Sequence, residues 1–306
     1  MSVPDNMLVF DRALVRARRE RAVASGDAHD FLFREVAERL ADRLKDFRHT
    51  FETGVDIGTR GGHMAKAALA TGRVERLFAA DPSPHLAASA SVPSVAADEE
   101  ALPFGPASLD LVVSALALHW VNDLPGALIQ IRQTLKPDGL FLAAMLGGET
   151  LYELRAALME AELAVSGGAA PRVSPMADLR DAAALLQRAG FALPVADRDT
   201  LAISYPDALA LMRDLSRMGE GNAVRRRSLT PLRRAVLAEA ARLYEARHKM
   251  DGGGVRASFE VLYLAGRAPA DTQQKPLRPG AAHHRLADAL GVEERSAGDI
   301  ARPTNE

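Results

Sequence analysis

The chain has 306 residues, of which 48% are hydrophobic and 25% charged, ordinary values for a globular protein and ample for one large core. Its 38 basic and 40 acidic residues leave a net charge of −2, so no global field recruits nucleic acid. Cysteine is absent, which excludes disulfides, zinc thiolate sites, chain-held iron–sulfur clusters and thiol nucleophiles.

The N-terminus has no signal-peptide apolar region. Asp5, Asp11 and Glu20 among Arg16, Arg18, Arg19 and Arg21 argue against an organelle presequence, so the cytoplasm is the expected location. Over residues 8–47 apolar side chains recur at helical spacing: Phe10, Leu14 and Val15, then Phe31, Leu32, Val36, Leu40 and Leu44, with Ser25-Gly26-Asp27 between the two runs. This predicts a helical N-terminal cap over residues 1–48. Next, an apolar segment starting at Phe51 ends in Asp56 and is followed by Gly58, Gly61 and Gly62 and a helix-favouring run over residues 63–70. Strand, tight turn and helix in that order let backbone approach a ligand at the carboxyl edge of a doubly wound sheet. Taken alone, such glycines read equally well as left-handed turns or caps.

A second strand is predicted over residues 74–80, ending at Asp81, which lies 25 positions beyond Asp56; a third over 92–97, ending at Asp98-Glu99; a fourth over 109–116; and a fifth over 140–146, reached through a helix over 124–135. Alternation of strands with helices implies a parallel sheet with right-handed crossovers. The apolar runs at 111–118 and 140–146 are too short for the roughly 20 residues of a membrane span and read as buried strands. Beyond Glu149, helices are predicted over 150–165, 176–189, 207–218 and 231–250, with strands over 197–204 and 255–265. From Pro269 onward Pro, Gly, Gln and charges dominate, so residues 269–306 are expected to form a mostly disordered tail with a brief helical pattern over 284–290.

An acid closing the second strand suits the two hydroxyls of a ribose, because a carboxylate accepts from both. Asp81 takes that role, with a helix N-cap before Ser83-Pro84 as the alternative. Asp98 and Glu99 either face an adenine amino group or form a solvated turn. Arg60 occupies the middle glycine position of a Gly-x-Gly-x-Gly loop and removes a convincing phosphate cradle, which points to a nucleoside cofactor without phosphate.

These segments, Val55-Asp56-Ile57-Gly58-Thr59-Arg60-Gly61-Gly62, Ala80-Asp81-Pro82-Ser83, Ala97-Asp98-Glu99-Glu100-Ala101-Leu102-Pro103-Phe104 and Leu109-Asp110-Leu111-Val112-Val113-Ser114, together resemble the class I S-adenosylmethionine-dependent methyltransferases. The resemblance implies an α/β fold, a Rossmann-like doubly wound seven-stranded sheet whose last strand runs antiparallel, over residues 49–268. It implies S-adenosylmethionine as cofactor, with Asp56 and Gly58 at the methionine end, Asp81 on the ribose and Asp98 with Glu99 at the adenine; Arg60, Gly62 and Ser114 complete the set. Arg60 departs from the usual small residue and either crowds the methionine moiety or pairs with its carboxylate.

A narrower resemblance, to the methyltransferase-fold assembly factors of respiratory complex I, spans most of the chain. It rests on Phe10-Asp11-Arg12-Ala13-Leu14-Val15-Arg16, on Leu116-Ala117-Leu118-His119-Trp120-Val121-Asn122-Asp123, on Gly147-Gly148-Glu149-Thr150-Leu151-Tyr152-Glu153-Leu154-Arg155, on Met218-Gly219-Glu220-Gly221-Asn222 and on Ala257-Ser258-Phe259-Glu260-Val261. That family is known for hydroxylating an arginine of a complex I subunit. The N-terminal half is also similar to the malonyl-carrier-protein methyltransferases of biotin synthesis.

Methyl transfer is an in-line displacement in which orientation supplies most of the catalysis, so no nucleophile need be visible. His119 reads as a base or polar orienter and Trp120 as a pocket wall, against a packed pair covering the sheet end. Tyr152, Glu153 and Arg155 read as lid contacts or as plain first-turn residues. Glu220 lies between two glycines, where Gly219 suits a helix C-cap; in a helical lid over about 150–250 it would pair with a cationic acceptor, for which an arginine of a partner protein is a better match than a malonyl group. The eight histidines form no compact metal motif, and no metal is expected. Four functions follow: methyltransferase acting on a protein or small molecule, which ranks first; arginine hydroxylase and complex I assembly factor; malonyl-carrier-protein methyltransferase; and non-catalytic assembly chaperone.

Overall fold

The structure, a computed structural model, describes residues 8–274, 288, 291 and 292. Packing divides the chain into two units, Met1–Ala270 and Asp271–Glu306, and every element named below belongs to the first. The helical pattern expected over 284–290, and most of the tail, lie outside the described residues.

Seven strands form one sheet: β1 (Phe51–Ile57), β2 (Val74–Asp81), β3 (Ser94–Ala96), β4 (Leu109–Ala115), β5 (Leu135–Leu146), β6 (Ala192–Tyr205) and β7 (Val255–Arg267). Their order is β3-β2-β1-β4-β5-β7-β6. The first five pair in parallel, and β7 runs antiparallel to both β5 and β6. This is the Rossmann-like seven-stranded α/β sheet that the sequence implies. Nine helices among the described residues accompany it: α1 (Arg12–Ala24), α2 (Phe31–Asp42), α3 (His63–Ala70), α4 (Pro84–Ser89), α5 (Leu124–Thr134), α6 (Tyr152–Ser166), α7 (Leu179–Arg188), α8 (Ala208–Arg217) and α9 (Arg234–His248).

Alternation along the central strands divides the core between the two faces of the sheet. On β5, Leu140, Leu142, Ala144 and Leu146 pack with α2, α3, α6, α8 and α9, whereas Phe141, Ala143 and Met145 pack with α5 and α7. Both faces being covered, the buried stretches of these strands, such as 140–146 of β5 and 111–113 of β4, are apolar, which is why they read as unbroken runs rather than as half-polar alternation. A third, small cluster joins Phe10 and Val15 to Trp120 and Ala223, and so lays the N-terminal segment across the carboxyl edge of the sheet.

Three strand boundaries differ most from expectation, the first being β5, which begins at Leu135, five residues before the predicted 140. Strand β3 is three exposed residues rather than six, since Pro93 precedes it and it pairs on one side only. Strand β6 begins five residues before the predicted 197, with a register irregularity between Ala192 and Val195 around Pro194. Proline cannot donate to a ladder, so a strand containing it near its start hides its true beginning.

Candidate functional site

Every polar residue assigned to the cofactor end of the sheet arrives from the carboxyl end of a parallel strand or the turn after it. Asp56 on β1 is fully buried; its Oδ2 accepts from Thr59 Oγ1 at 2.6 Å, and its Oδ1 has no partner. Burial, reinforced by the charge of Asp81 and only partly offset by the Thr59 hydrogen bond, pushes the carboxyl up to about 7. Gly58 and Gly62 both take positive φ, +70° and +80°. A Cβ on Gly58 would lie 2.2 Å from the Ala117 methyl, and one on Gly62 would lie 2.6 Å from Ala90 Cα. Glycine is required at both positions by backbone conformation and by the chain packed against them.

Asp81 closes β2. Its Oδ1 accepts the Ser83 N–H at 2.9 Å and its Oδ2 the Arg60 N–H at 3.3 Å. The N-cap of α4 is Ser83, whose Oγ accepts from Leu86 N at 3.3 Å, so the capping alternative for Asp81 is not realised. Asp81 lines a cavity of about 190 Å³ together with Glu99, Ala117, Trp120, Arg12 and Arg19. Glu99 is buried and Asp98 half exposed. Arg12 of α1 clasps this acidic turn, with Nη1 2.7 Å from Asp98 Oδ1 and 2.9 Å from Glu100 Oε1, and Nη2 on Glu99.

Two assigned residues face elsewhere. Ser114 is buried and donates to the Ile57 carbonyl at 2.8 Å, tying β4 to β1. Arg60 sends its guanidinium between elements: Nη1 donates to Asp30 at 3.0 Å, Nη2 to the Met218 carbonyl at 2.6 Å, and its centre lies 3.4 Å over the Phe33 ring. Only its backbone N–H reaches toward Asp81.

Glu220 stands at the far end of this row. Helix α8 ends in a paired cap in which Gly219 (φ +79°) donates to Ser216 O and the Glu220 N–H to Leu215 O at 3.0 Å. The cap reading of Gly219 holds, and the cap projects the Glu220 side chain inward. Its carboxylate accepts from Trp120 Nε1 at 2.9 Å and His119 Nε2 at 3.2 Å, with Arg19 Nη2 at 3.4 Å. Burial pushes Glu220 up, but the charge of Arg19, the His119 hydrogen bond and the charge of Arg60 outweigh it and hold the carboxyl at about 2. Burial drives His119 the other way, below its ordinary value, so it is a neutral imidazole. Its Nε2 carries the proton given to Glu220, and its buried Nδ1 has no partner.

Glu220 also forms part of the wall of a second cavity, of about 460 Å³, bounded by Leu146, Leu154, Met176, Met212 and Phe259. It therefore stands between the two: its donors Arg19 and Trp120 border the first cavity, and Glu220 is one of the residues lining the second. Tyr152 is not brought to this position; it is 42% exposed at the start of α6, edge-on to His248. Arg155 holds the Gly148 and Thr150 carbonyls of its own turn.

Sequence reasoning missed Arg12, Arg19 and Asn122. The Asn122 side chain accepts the Val9 and Phe10 N–H groups and so pins the start of α1. A weak signal was present, since Val15, Arg19 and Ala22 recur at helical spacing and form the buried face of α1. An arginine at the centre of such a face needs a partner, but its identity is not local. Among the described residues, no group of three or more His, Cys, Asp or Glu is placed to hold a metal ion, and no helix is long and apolar enough to cross a membrane.

A nucleoside cofactor such as S-adenosylmethionine fits the donor set. Asp56 Oδ1 is a buried acceptor with no partner, and Asp81 and Glu99 present carboxylates to one cavity. The cavity is smaller than the about 300–1,000 Å³ of ligand pockets, because α1 covers it.

Known proteins resemble the chain at each of these levels. The family model described as a methyltransferase domain matches residues 55–143. The mitochondrial arginine-hydroxylase NDUFAF5 of Danio rerio is 44% identical over 289 residues, covering 92% of this chain and 89% of that protein. A malonyl-acyl-carrier-protein O-methyltransferase of a Methylovorus strain is 34% identical, covering 83% of this chain and 88% of that one. Among solved structures, a methyltransferase of Bacillus halodurans superposes with a TM-score of 0.55 at 15% identity, over 76% of this chain and 99% of its own.

Proposed function

We infer that this chain, which belongs to the class I S-adenosylmethionine-dependent methyltransferase family and is closely related to NDUFAF5, uses S-adenosylmethionine to modify a protein acceptor at an arginine side chain. The observation that carries the reading is the ionised, buried carboxylate of Glu220 between the two cavities. A carboxylate has about four acceptor sites, and Arg19, His119 and Trp120 use three. The remaining capacity suits a guanidinium entering from the larger cavity, and the same negative charge opposes a malonyl group.

On this reading Asp81 holds the ribose hydroxyls, Asp98 and Glu99 meet the adenine, and Asp56 with the Gly58 turn meets the methionine end. The cofactor supplies an electrophilic methyl group when bound. The chain orients the acceptor nitrogen through Glu220, held by His119 Nε2, and excludes water through Trp120 and Leu118, both buried; the proton that the nitrogen sheds passes to the Glu220 carboxylate. Methyl transfer is the first reaction proposed. Arginine hydroxylation is the second, favoured by the name of relatives that cover nine tenths of the chain at 40–44% identity; it converts a C–H to a C–OH bond and so needs dioxygen, whose second oxygen atom leaves as water with two electrons from an added reductant. Mass spectrometry of an arginine peptide incubated in air with the protein, S-adenosylmethionine and a reductant decides between them. A product heavier by one methylene supports transfer, one heavier by an oxygen supports hydroxylation, and an unchanged peptide supports a chaperone.

Glu220→Gln keeps the shape and removes the charge. Cofactor affinity should stay within about threefold, under 1 kcal/mol, while turnover falls about tenfold or more. Turnover equal to wild type removes Glu220 from the acceptor site. Tyr152→Phe, measured alongside, tests whether the first turn of α6 takes part, which a matching fall in turnover would establish.

Entry of the cofactor requires α1 to shift, since Arg12 occupies the acids at the adenine end. Arg12→Gln should speed association about two- to fivefold, the range of partly exposed ion pairs. Trp120, the chain's single tryptophan, reports the event by its fluorescence because it lines the cavity. A slower or unchanged rate means that the clasp does not limit entry.

A further inference from the structure

Positive charge is concentrated around the mouth of the larger cavity, although the chain as a whole is slightly acidic. A shallow depression lined by Arg18, Arg21, Ser25 and Arg217 adjoins that cavity and shares Arg18, Ser216 and Gly221 with it. Arg227 and Arg172 stand on the cavity's own wall. Arg172 is neutralised by Glu162 at 2.5 Å, and Arg227 is only loosely paired with Asp11 at 3.5 Å. Among the described residues, no carboxylate lies within ion-pair distance of Arg18, Arg21 or Arg217. Arg18 donates to the Gly221 and Asn222 carbonyls, and Arg217 meets only a ring nitrogen of His29. Burial and the charges of Arg227 and Arg21 lower Arg18, and the charge of Asp11 offsets only part of this.

Beside these arginines the cavity is apolar, and Leu229 at its mouth is 81% exposed. An apolar opening whose rim carries more arginines than paired carboxylates is complementary to a chain that carries apolar side chains between carboxylates. A free fatty acid would satisfy the rim with its one carboxylate at a single point. The arginines extend instead from Arg227 through Arg18 to Arg21 and Arg217, along α1 and the end of α8. We propose that this rim docks an extended segment of the acceptor protein in which Asp or Glu residues flank the side chain that enters the cavity. The proposal rests on the reading of the larger cavity as the acceptor side, and it adds the sequence character of the acceptor.

The test uses two labelled peptides with the same arginine–leucine centre, one flanked by glutamates and the other by lysines, titrated with the full chain and followed by anisotropy. The glutamate peptide should bind about tenfold or more tightly than the lysine peptide, and the difference should shrink as salt rises. In the double variant Arg21→Glu and Arg217→Glu, both exposed positions outside the proposed catalytic set, the preference should fall below about threefold. Equal binding of the two peptides, or a preference untouched by the double variant, overturns the proposal. So does binding of oleate that displaces neither peptide from the wild-type chain while the preference is missing. Calorimetry with S-adenosylmethionine on the same preparations separates the two readings. Cofactor binding without a peptide preference refutes the rim alone; a preference without cofactor binding upholds the rim and sinks the cofactor assignment.

Discussion

Replacing Arg60 with Met should destabilise the protein by about 3–5 kcal/mol, seen as a lower urea midpoint with an unchanged slope, because one half of a buried ion pair is left behind. Asp30 is the half that remains. It is buried, and its Oδ1 takes Arg60 Nη1 while its Oδ2 takes His63 Nε2, each at 3.0 Å. Burial pushes Asp30 up, yet the His63 hydrogen bond and the Arg60 charge together hold it below its ordinary value. Without Arg60 that balance reverses, and the Met218 carbonyl also loses its donor. The loss would remove the guanidinium through which the glycine turn after β1 bonds both to Asp30 at the start of α2 and to Met218 at the end of α8. Asp30→Leu in the same chain should restore part of the stability, since an apolar pair of similar volume is often neutral or better in place of a buried ion pair. No recovery would place the cost in the lost contact with Phe33 or Met218 rather than in the stranded charge.

Asp81→Ala should weaken S-adenosylmethionine binding by about 2–4 kcal/mol, roughly 30- to 1000-fold by calorimetry, if its carboxylate accepts both ribose hydroxyls. Each Asp81 oxygen already accepts one backbone N–H, from Ser83 and Arg60, and each keeps a second lone pair beside the cavity. The Ala variant also strands those two N–H groups, so its melting temperature has to be followed with its affinity. Asp81→Asn narrows the second effect, because it retains the side-chain volume and an acceptor oxygen for the Ser83 N–H, leaving only the longer Arg60 N–H contact without its acceptor. An intermediate loss of affinity at near-native stability supports the ribose role; unchanged affinity in a folded variant removes Asp81 from the site.

The parallel half of the sheet was legible from the sequence because its cause is local in two respects. Stretches of strand buried on both faces must be apolar, and a chain that leaves such a strand for a helix needs a turn, here marked by Gly58 and Gly62 after Asp56 and by Ser83-Pro84 after Asp81. The same economy placed Asp56, Asp81 and Glu99 at one edge, since parallel strands deliver all their carboxyl ends to one side. Strand β6 was partly hidden because, packed on an outer position and interrupted by Pro194, it lacks an unbroken apolar run.

What the sequence by itself determined was therefore the parallel part of the sheet and the row of acids along its edge, both written in the period and punctuation of neighbouring residues, while the antiparallel last strand was implied only by the family resemblance. Only the tertiary structure decided what those acids meet. Arg60, in a glycine's place, reads in isolation as a residue facing the cofactor, yet its guanidinium crosses to Asp30 and Met218, 30 residues upstream and 158 downstream. Arg12 and Arg19 carry no assigned partner in the sequence, yet they close on the acidic turn after β3 and on Glu220. Glu220 lies 101 residues from His119 and still meets it at 3.2 Å. The physical reason is the same in each case. Desolvation makes a buried charge costly until a partner of opposite sign compensates it, and that partner is supplied by whichever elements the packed core brings together rather than by neighbours in the chain.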